Sequence, residues 1–187
     1  MKRSKILALG LALALTAGLL AGCGGGSSGS SEFAGGAGTA ENPWRIETAK
    51  QLEAVRSHLG GHFALTKDLD LSGYEDWQPI GNFKAISEED DETPAPEAAF
   101  TGTFDGGGYA VTGLYIKTDE KYQGLFGYIW NATVKDLSVS GSVSGGNYTG
   151  AVVGYAGGEN PGSTIINCVS DAAVSGDSYV GGIAGAV

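Results

Sequence analysis

Four stretches of the chain can be laid on one another: Thr66-Lys67-Asp68-Leu69-Asp70-Leu71, Val111-Thr112-Gly113-Leu114-Tyr115-Ile116, Val134-Lys135-Asp136-Leu137-Ser138-Val139 and Ile165-Ile166-Asn167-Cys168-Val169-Ser170. The alignment puts Leu69, Leu114, Leu137 and Cys168 in one column. Leu71, Ile116 and Val139 fall in the next, with Ser170 as the exception. The steps are 45, 23 and 31 residues. A Gly-rich motif follows the later stretches: Gly124-Leu125-Phe126-Gly127, Ala151-Val152-Val153-Gly154 and Gly182-Ile183-Ala184-Gly185. Recurrence on this scale limits the fold severely, because one such repeat cannot bury its own apolar face and must stack on a neighbour.

Within a repeat the apolar and polar residues alternate. Leu137, Val139 and Val143 point one way, and Ser138, Ser140, Ser142 and Ser144 the other. A period of two means strands. Each is short and bounded by Gly, Asn or Asp, and no helical segment separates the repeats. The prediction is an all-β chain, a parallel β-helix or β-solenoid, whose corners use glycine where other residues avoid the backbone angles. The uncharged run Leu137–Gly158 then reads as one turn of its wall.

The front end differs. Thr48 and Gln51 make a capping box. Leu52, Val55 and Leu59 fall on one helix face, and Gly60-Gly61 stop it. A short N-terminal capping helix over residues 48–59 is expected to cover the first strand edge, which would otherwise pair with other chains. Between Trp77 and Ala99 an insertion with the acidic run Glu88–Glu92 and the prolines Pro94 and Pro96 reads as a mobile surface loop. The chain stops at Val187, where another strand is expected, and reads as a fragment or the start of a longer array.

The N-terminus carries Lys2, Arg3 and Lys5, then an apolar run from Ile6 to about Ala21. This is the pattern of a secretory signal peptide, shorter than the roughly 20 residues of a membrane span. It ends in Leu20-Ala21-Gly22-Cys23, which resembles the lipobox of bacterial lipoproteins. That resemblance implies cleavage after residue 22 and lipid, palmitate included, on Cys23. Residues 23–40 then form the lipidated cysteine and a flexible Gly/Ser-rich tether. The expected location is the cell membrane, lipid-anchored on its extracellular face. Gly24 differs from the Asp that retains many Gram-negative lipoproteins in the inner membrane, which favours a Gram-positive envelope.

The formal charge of -10 becomes -13 once residues 1–22, with three positive charges and no negative ones, are removed. Such an acidic chain offers no basic patch to nucleic acid. With Cys23 acylated, Cys168 has no partner for an internal disulfide.

The repeat region 41–187 resembles the GLUG-motif family of bacterial surface proteins. The signature is Gly124-Leu125-Phe126-Gly127, supported by Trp77-Gln78-Pro79-Ile80-Gly81 and by Phe100–Tyr109. The other two Gly-rich copies depart from it. The resemblance implies a right-handed β-helix on a cell surface. GLUG repeats occur beside the peptidase domain of streptococcal IgA proteases and in adhesin-like proteins, and no enzymatic activity is attributed to the motif.

Reactive constellations are scarce. His58 and His62 lie four apart, but Gly60-Gly61 between them end the helix, so a metal site is not expected. Glycoside hydrolysis usually needs two carboxylates about 5 to 9 Å apart. Stacking would bring Asp68 near Asp136, yet Gly113 and Asn167 hold that place elsewhere, and turn residues explain all four better. Cys168 shares a column with leucines and reads as a small buried hydrophobe. The Glu88–Glu92 run has no EF-hand spacing for Ca²⁺. No catalytic residue, metal or cofactor is predicted.

The leading expectation is a non-catalytic structural or adhesin-like display module. Its partners are the membrane through the anchor, a host or cell-wall glycan or protein, and another copy through edge-to-edge self-association. A first alternative is a carbohydrate-binding module, with Tyr115, Tyr122 and Tyr148 as ligand-binding candidates among a wider set of Tyr109, Tyr128 and Tyr155. A second is an accessory region of a larger surface peptidase of the IgA-protease kind.

Overall fold

The computed structural model describes residues 32–81 and 98–187. The signal peptide, Cys23, the tether up to residue 31 and the Glu88–Glu92 run lie outside these residues. In chain order the elements are β1 (Trp44–Ile46), α1 (Ala49–Ala54), a 3₁₀ turn (Val55–Ser57), β2 (His62–Leu65), β3 (Leu69–Asp70), β4 (Thr103–Asp105), β5 (Ala110–Lys117), β6 (Phe126–Trp130), β7 (Thr133–Lys135), β8 (Ser138–Ser144), β9 (Thr149–Gly150), β10 (Val153–Gly157), β11 (Thr164–Ile166), β12 (Val169–Ser170), β13 (Ala173–Ser175), β14 (Val180–Gly181) and β15 (Ala184–Ala186). Among the described residues the fold is all-β with one short α-helix.

The strands pair in parallel. One sheet runs β1-β2-β4-β7-β11, a second β15-β10-β6, a third β12-β8-β5-β3 with β13 also on β8, and a fourth β14-β9. In the first, Phe63 lies opposite Phe104, Phe104 opposite Val134 and Val134 opposite Ile165. In the second, Phe126 lies opposite Val153 and Val153 opposite Ala184. The three Gly-rich motifs therefore stack as the sequence aligns them. Both rows change from large to small side chains along the chain. The aromatic part of the interior, Phe63, Phe100, Phe104 and Phe126, is fully or almost fully buried.

The leucine column needs correction. Leu69 lies opposite Val111, and Val111 opposite Val139, whereas Leu114 lies opposite Gly141. Ile116 lies opposite Val143. Only Leu137 and Cys168 keep company, since Ser138 and Val139 pair with Val169 and Ser170. The cause is a register shift in β5 between Val111 and Leu114, where three steps oppose two in β8. Gly113, at φ +69°, takes up the extra residue. A shift of one residue ordinarily turns an inward side chain outward. The bulge absorbs that turn, so Val111 and Leu114 both face inward.

At the front, Thr48 accepts a hydrogen bond from the Gln51 N–H at 3.2 Å, and the Gln51 side chain accepts from the Glu47 N–H at 2.8 Å. Leu52 and Val55 are fully buried. The helix is shorter than 48–59 because Val55–Ser57 tighten into the 3₁₀ turn. The tether is also shorter than expected. Phe33 is buried against Trp44, their rings 4.9 Å apart and stacked. The Ala34 N–H donates to the Arg45 carbonyl and the Arg45 N–H to the Gly35 carbonyl, at 2.9 and 2.8 Å. A single aromatic side chain thus pulls residues 33–35 onto the free edge of β1, the edge the helix was expected to cover.

Candidate functional site

Tyrosines form a regular side-chain array that runs from the buried Tyr122 to the exposed Tyr179. Tyr122, Tyr148 and Tyr179 sit in the loops that lead into successive Gly-rich motifs. Gln123 bridges to Thr149, and Thr149 pairs with Val180, so the tyrosines before them fall in one column. The Tyr122 and Tyr148 rings are 5.0 Å apart and 4° from parallel. The Tyr148 and Tyr179 rings are 4.6 Å apart and 6° from parallel. Backbone bonds hold the column: the Tyr122 N–H donates to Asn147 and the Tyr148 N–H to Ser178, each at 2.9 Å.

All three tyrosines have left-handed backbones, with φ of +61°, +63° and +55°. Such angles are unusual for a bulky residue and cost about 1–3 kcal/mol each. Stacking and the paired backbone on both sides offset that strain. The residues that follow the first two, Gln123 and Thr149, are buried and satisfied there, whereas Val180 after Tyr179 is exposed. The buried Thr149 hydroxyl donates to the Gly146 carbonyl at 2.9 Å, and the Gln123 amide to the Lys121 carbonyl at 2.7 Å.

A second tyrosine pair meets the column from the side. Tyr155 lies edge-on to Tyr148, at 5.5 Å, and to Tyr122, at 6.0 Å. Tyr128 lies 5.6 Å from Tyr155. Burial, with Tyr155 and Tyr122 alongside, pushes the Tyr128 phenol up to about 12. Access rises along the column: Tyr122 is 8% exposed, Tyr148 half-buried and Tyr179 59% exposed.

Two of the three candidates, Tyr122 and Tyr148, are thus brought together. Tyr115 is not. It stands exposed on β5 opposite Ser142, with no ring partner among the described residues. Tyr179 was missed. Its signal was a Tyr-x-Gly triplet ahead of each Gly-rich motif: Tyr122-Gln123-Gly124, Tyr148-Thr149-Gly150 and Tyr179-Val180-Gly181. The geometry bears on sugar binding as well. A sugar ring stacks on an aromatic face, and both faces of Tyr148 are covered by its neighbours.

The polar candidates take structural places. Asn167 donates to the Asp136 carboxylate at 3.0 Å, and both residues sit at left-handed corners. Lys135 reaches Asp105 at 2.6 Å and Asp136 at 3.5 Å. The Asn167 contact, then Lys135, hold the Asp136 carboxyl below its ordinary range. Asp68 accepts from the Ala110 N–H at 2.8 Å, a structural contact of a corner residue. His58 meets Glu32 at 2.8 Å. Cys168 is half-buried, and burial pushes its thiol up, away from the nucleophilic thiolate. Arg56 lies over the Trp77 ring at 4.3 Å and bonds the Gln78 carbonyl, beside a shallow depression that Lys50 and Glu53 also line. Among the described residues no group of three or more His, Cys, Asp or Glu is placed to hold a metal.

No protein-family model matches the chain. It is 41% identical over 154 residues to a protein of Evansella cellulosilytica provisionally named a Gly-rich membrane protein, covering 78% of this chain and 16% of that one. It is 29% identical over 160 residues to a protein of Haloquadratum walsbyi named halomucin, covering 81% of this chain and 2% of that one. This chain therefore spans a small part of the length of these relatives. A crystal structure of a Bacteroides ovatus protein, provisionally named an immunoglobulin A1 protease, superposes with a TM-score of 0.61 at 24% identity. That match covers 81% of this chain and 47% of the other, and it speaks to the fold.

Proposed function

We propose that this chain is a non-catalytic, lipid-anchored surface module in which GLUG-type repeats wind as a right-handed parallel β-helix. The observation that carries this reading is the parallel pairing of successive repeats, as in β4, β7 and β11, each strand seated on its counterpart one repeat earlier. That arrangement makes a stiff rod with an outer wall rich in Ser and Thr, suited to display. The names of the two long relatives, a membrane protein and a halomucin, fit a place at the cell boundary.

The anchor is tested in a Gram-positive host supplied with an alkyne-tagged palmitate. The full-length protein is expected to take up the label and sediment with membranes. Cys23→Ala is expected to lose the label and to leave the lipoprotein processing route. A labelled Cys23→Ala protein, or an unlabelled parent, would remove the lipid anchor from the proposal.

A second reading, an accessory region of a larger surface peptidase, is favoured by the likeness to the Bacteroides ovatus protein, of which this chain matches less than half. The two readings share the rod and differ in what it carries. A peptidase encoded in the same reading frame, with activity lost on deleting residues 41–187, would decide for the second.

A further inference from the structure

We propose that residues 32–43 act as a clasp, a unit that opens and closes on an intact rod and so shifts the point at which the N-terminal chain leaves the fold from Glu32 to Trp44. The use of such a joint between anchor and rod rests on the lipid-anchor reading above, whereas the opening itself does not.

The closed state is built around one side chain. Phe33 lies against Trp44, His58 and Phe63, with ring centroids at 4.9, 5.5 and 5.6 Å. Beside it Glu32 meets His58 at 2.8 Å. The Ala34 N–H donates to the Arg45 carbonyl, the Arg45 N–H to the Gly35 carbonyl and the His62 N–H to the Gly38 carbonyl, at 2.9, 2.8 and 3.1 Å. The turn is closed within the clasp, where the Ala37 N–H donates to the Asn42 carbonyl and the Asn42 N–H to the Thr39 carbonyl, at 2.9 and 3.2 Å.

Burial sets where the unit begins and ends. Phe33 is the one buried residue between Glu32 and Pro43. A segment with so little apolar contact and such exposed hydrogen bonds sits at the low end of local stability. Opening stops at β1, because Ile46 is fully buried and Trp44–Ile46 pair in register with residues 63–65. The pocket walls stay together without Phe33: the Trp44 ring lies 5.4 Å from Phe63 and 4.8 Å from His58. The clasp turns at Gly36 and Gly38, with φ of +91° and +74°. Glycine allows that turn, and it also regains more freedom than any other residue when the clasp lets go.

Opening has a structural consequence. The Arg45 N–H and carbonyl lose their partners, and β1 becomes a bare edge of the first sheet. A closed clasp withholds that edge from other strands.

The test is amide hydrogen exchange on the full-length protein in detergent. The Ala34, Ala37 and Asn42 amides report the clasp, and Trp130 and Thr133 report the rod, where they donate to the Phe100 and Gly102 carbonyls. The clasp amides are expected to exchange together, at least about tenfold faster than the rod amides. Dilute urea should speed the rod amides and leave the clasp amides nearly unchanged, since local opening exposes little surface. Phe33→Ala removes one buried ring and should speed the clasp amides by roughly a hundredfold or more. The rod amides and the melting temperature should stay as in the parent. Glu32→Gln should speed the same three amides about two- to fivefold, which keeps the test open if Phe33→Ala does not fold. Clasp amides that exchange at the rod's rate, or a Phe33→Ala change that speeds every amide alike, would make residues 32–43 part of the rod and overturn the proposal. Free-chain rates in the parent would overturn it too, by showing no closed state. None of these readings involves lipid on Cys23, so failure of the clasp and failure of the anchor, read by the palmitate label, are told apart.

Discussion

Phe126→Ala is expected to remove about 3–5 kcal/mol of stability, the range for deleting a fully buried phenylalanine. The side chain sits where the two halves of the interior meet. Its ring lies 5.2 Å from Phe100 and 5.2 Å from Phe104, the latter edge to face. Along its own row it bridges to Ile80 on one side and pairs with Val153 on the other. No neighbour is free to fill the space, because the surrounding residues are held in parallel ladders on either side. For a folded region of this size, that loss lowers the melting temperature by roughly 6–20 °C. Repeat proteins owe much of their cooperativity to contacts between neighbouring repeats. Amide exchange should therefore show β10 and β15 losing protection before β1 and β2 do. Urea unfolding of Phe126→Ala within about 1 kcal/mol of the parent would show that the aromatic cluster does not join the two halves. Tyr115→Ala, a large side chain removed from the outer face, serves as the control and should change little.

Much of the architecture could be read from the chain because strand repeats write themselves twice, once in alternation and once in period. The Gly-rich motifs aligned correctly because glycine recurs at the same place where strands approach closely. The leucine alignment failed for a local reason. Val111 and Leu114 are both plausible inward residues, and only a bulge lets both be so. Nothing in Val111-Thr112-Gly113-Leu114 announces the bulge except a glycine, in a chain with 33 of them. The tether boundary failed in a similar way. Phe33 is one aromatic residue in a Gly/Ser-rich stretch, and composition averages it away, yet its burial decides where the fold begins.

The candidate site was legible in its parts and not in its geometry. Tyr122 and Tyr148 are legible in the sequence as aromatic candidates for a sugar-binding face. That they would stack face to face depended on a left-handed backbone at each, which aromatic residues rarely adopt and which no sequence pattern predicts. The stack changes what the residues can do. Rings whose faces are already covered serve poorly as a platform for sugars. Tyr115, which keeps a free face, stands by itself on the wall of β5. A glycan-binding surface built from these three residues together is therefore not what the fold assembles.

Gly141→Ala is expected to be as damaging as the loss of a core aromatic, although it adds a single carbon. Gly141 lies in β8 opposite Leu114, at the point where the β5 bulge rejoins the ladder. Its φ is +146°, a region that side chains rarely enter. A Cβ there would stand 2.0 Å from the Leu114 carbonyl oxygen and 2.7 Å from its carbon and nitrogen. The obstacle is backbone already fixed in the ladder, so no side chain can turn aside to make room. Backbone strain of about 1–3 kcal/mol and overpacking of about 1–3 kcal/mol add to roughly 2–6 kcal/mol. Gly182→Ala separates this cause from a general intolerance of alanine. At Gly182 nothing lies within 4 Å of the added carbon. That substitution should leave stability within about 0.5 kcal/mol of the parent. Equilibrium unfolding of the pair reads the difference directly. If both alanines are tolerated alike, β5 and β8 do not pair through the bulge, and the register that brings Val111 and Leu114 to the same interior must be redrawn.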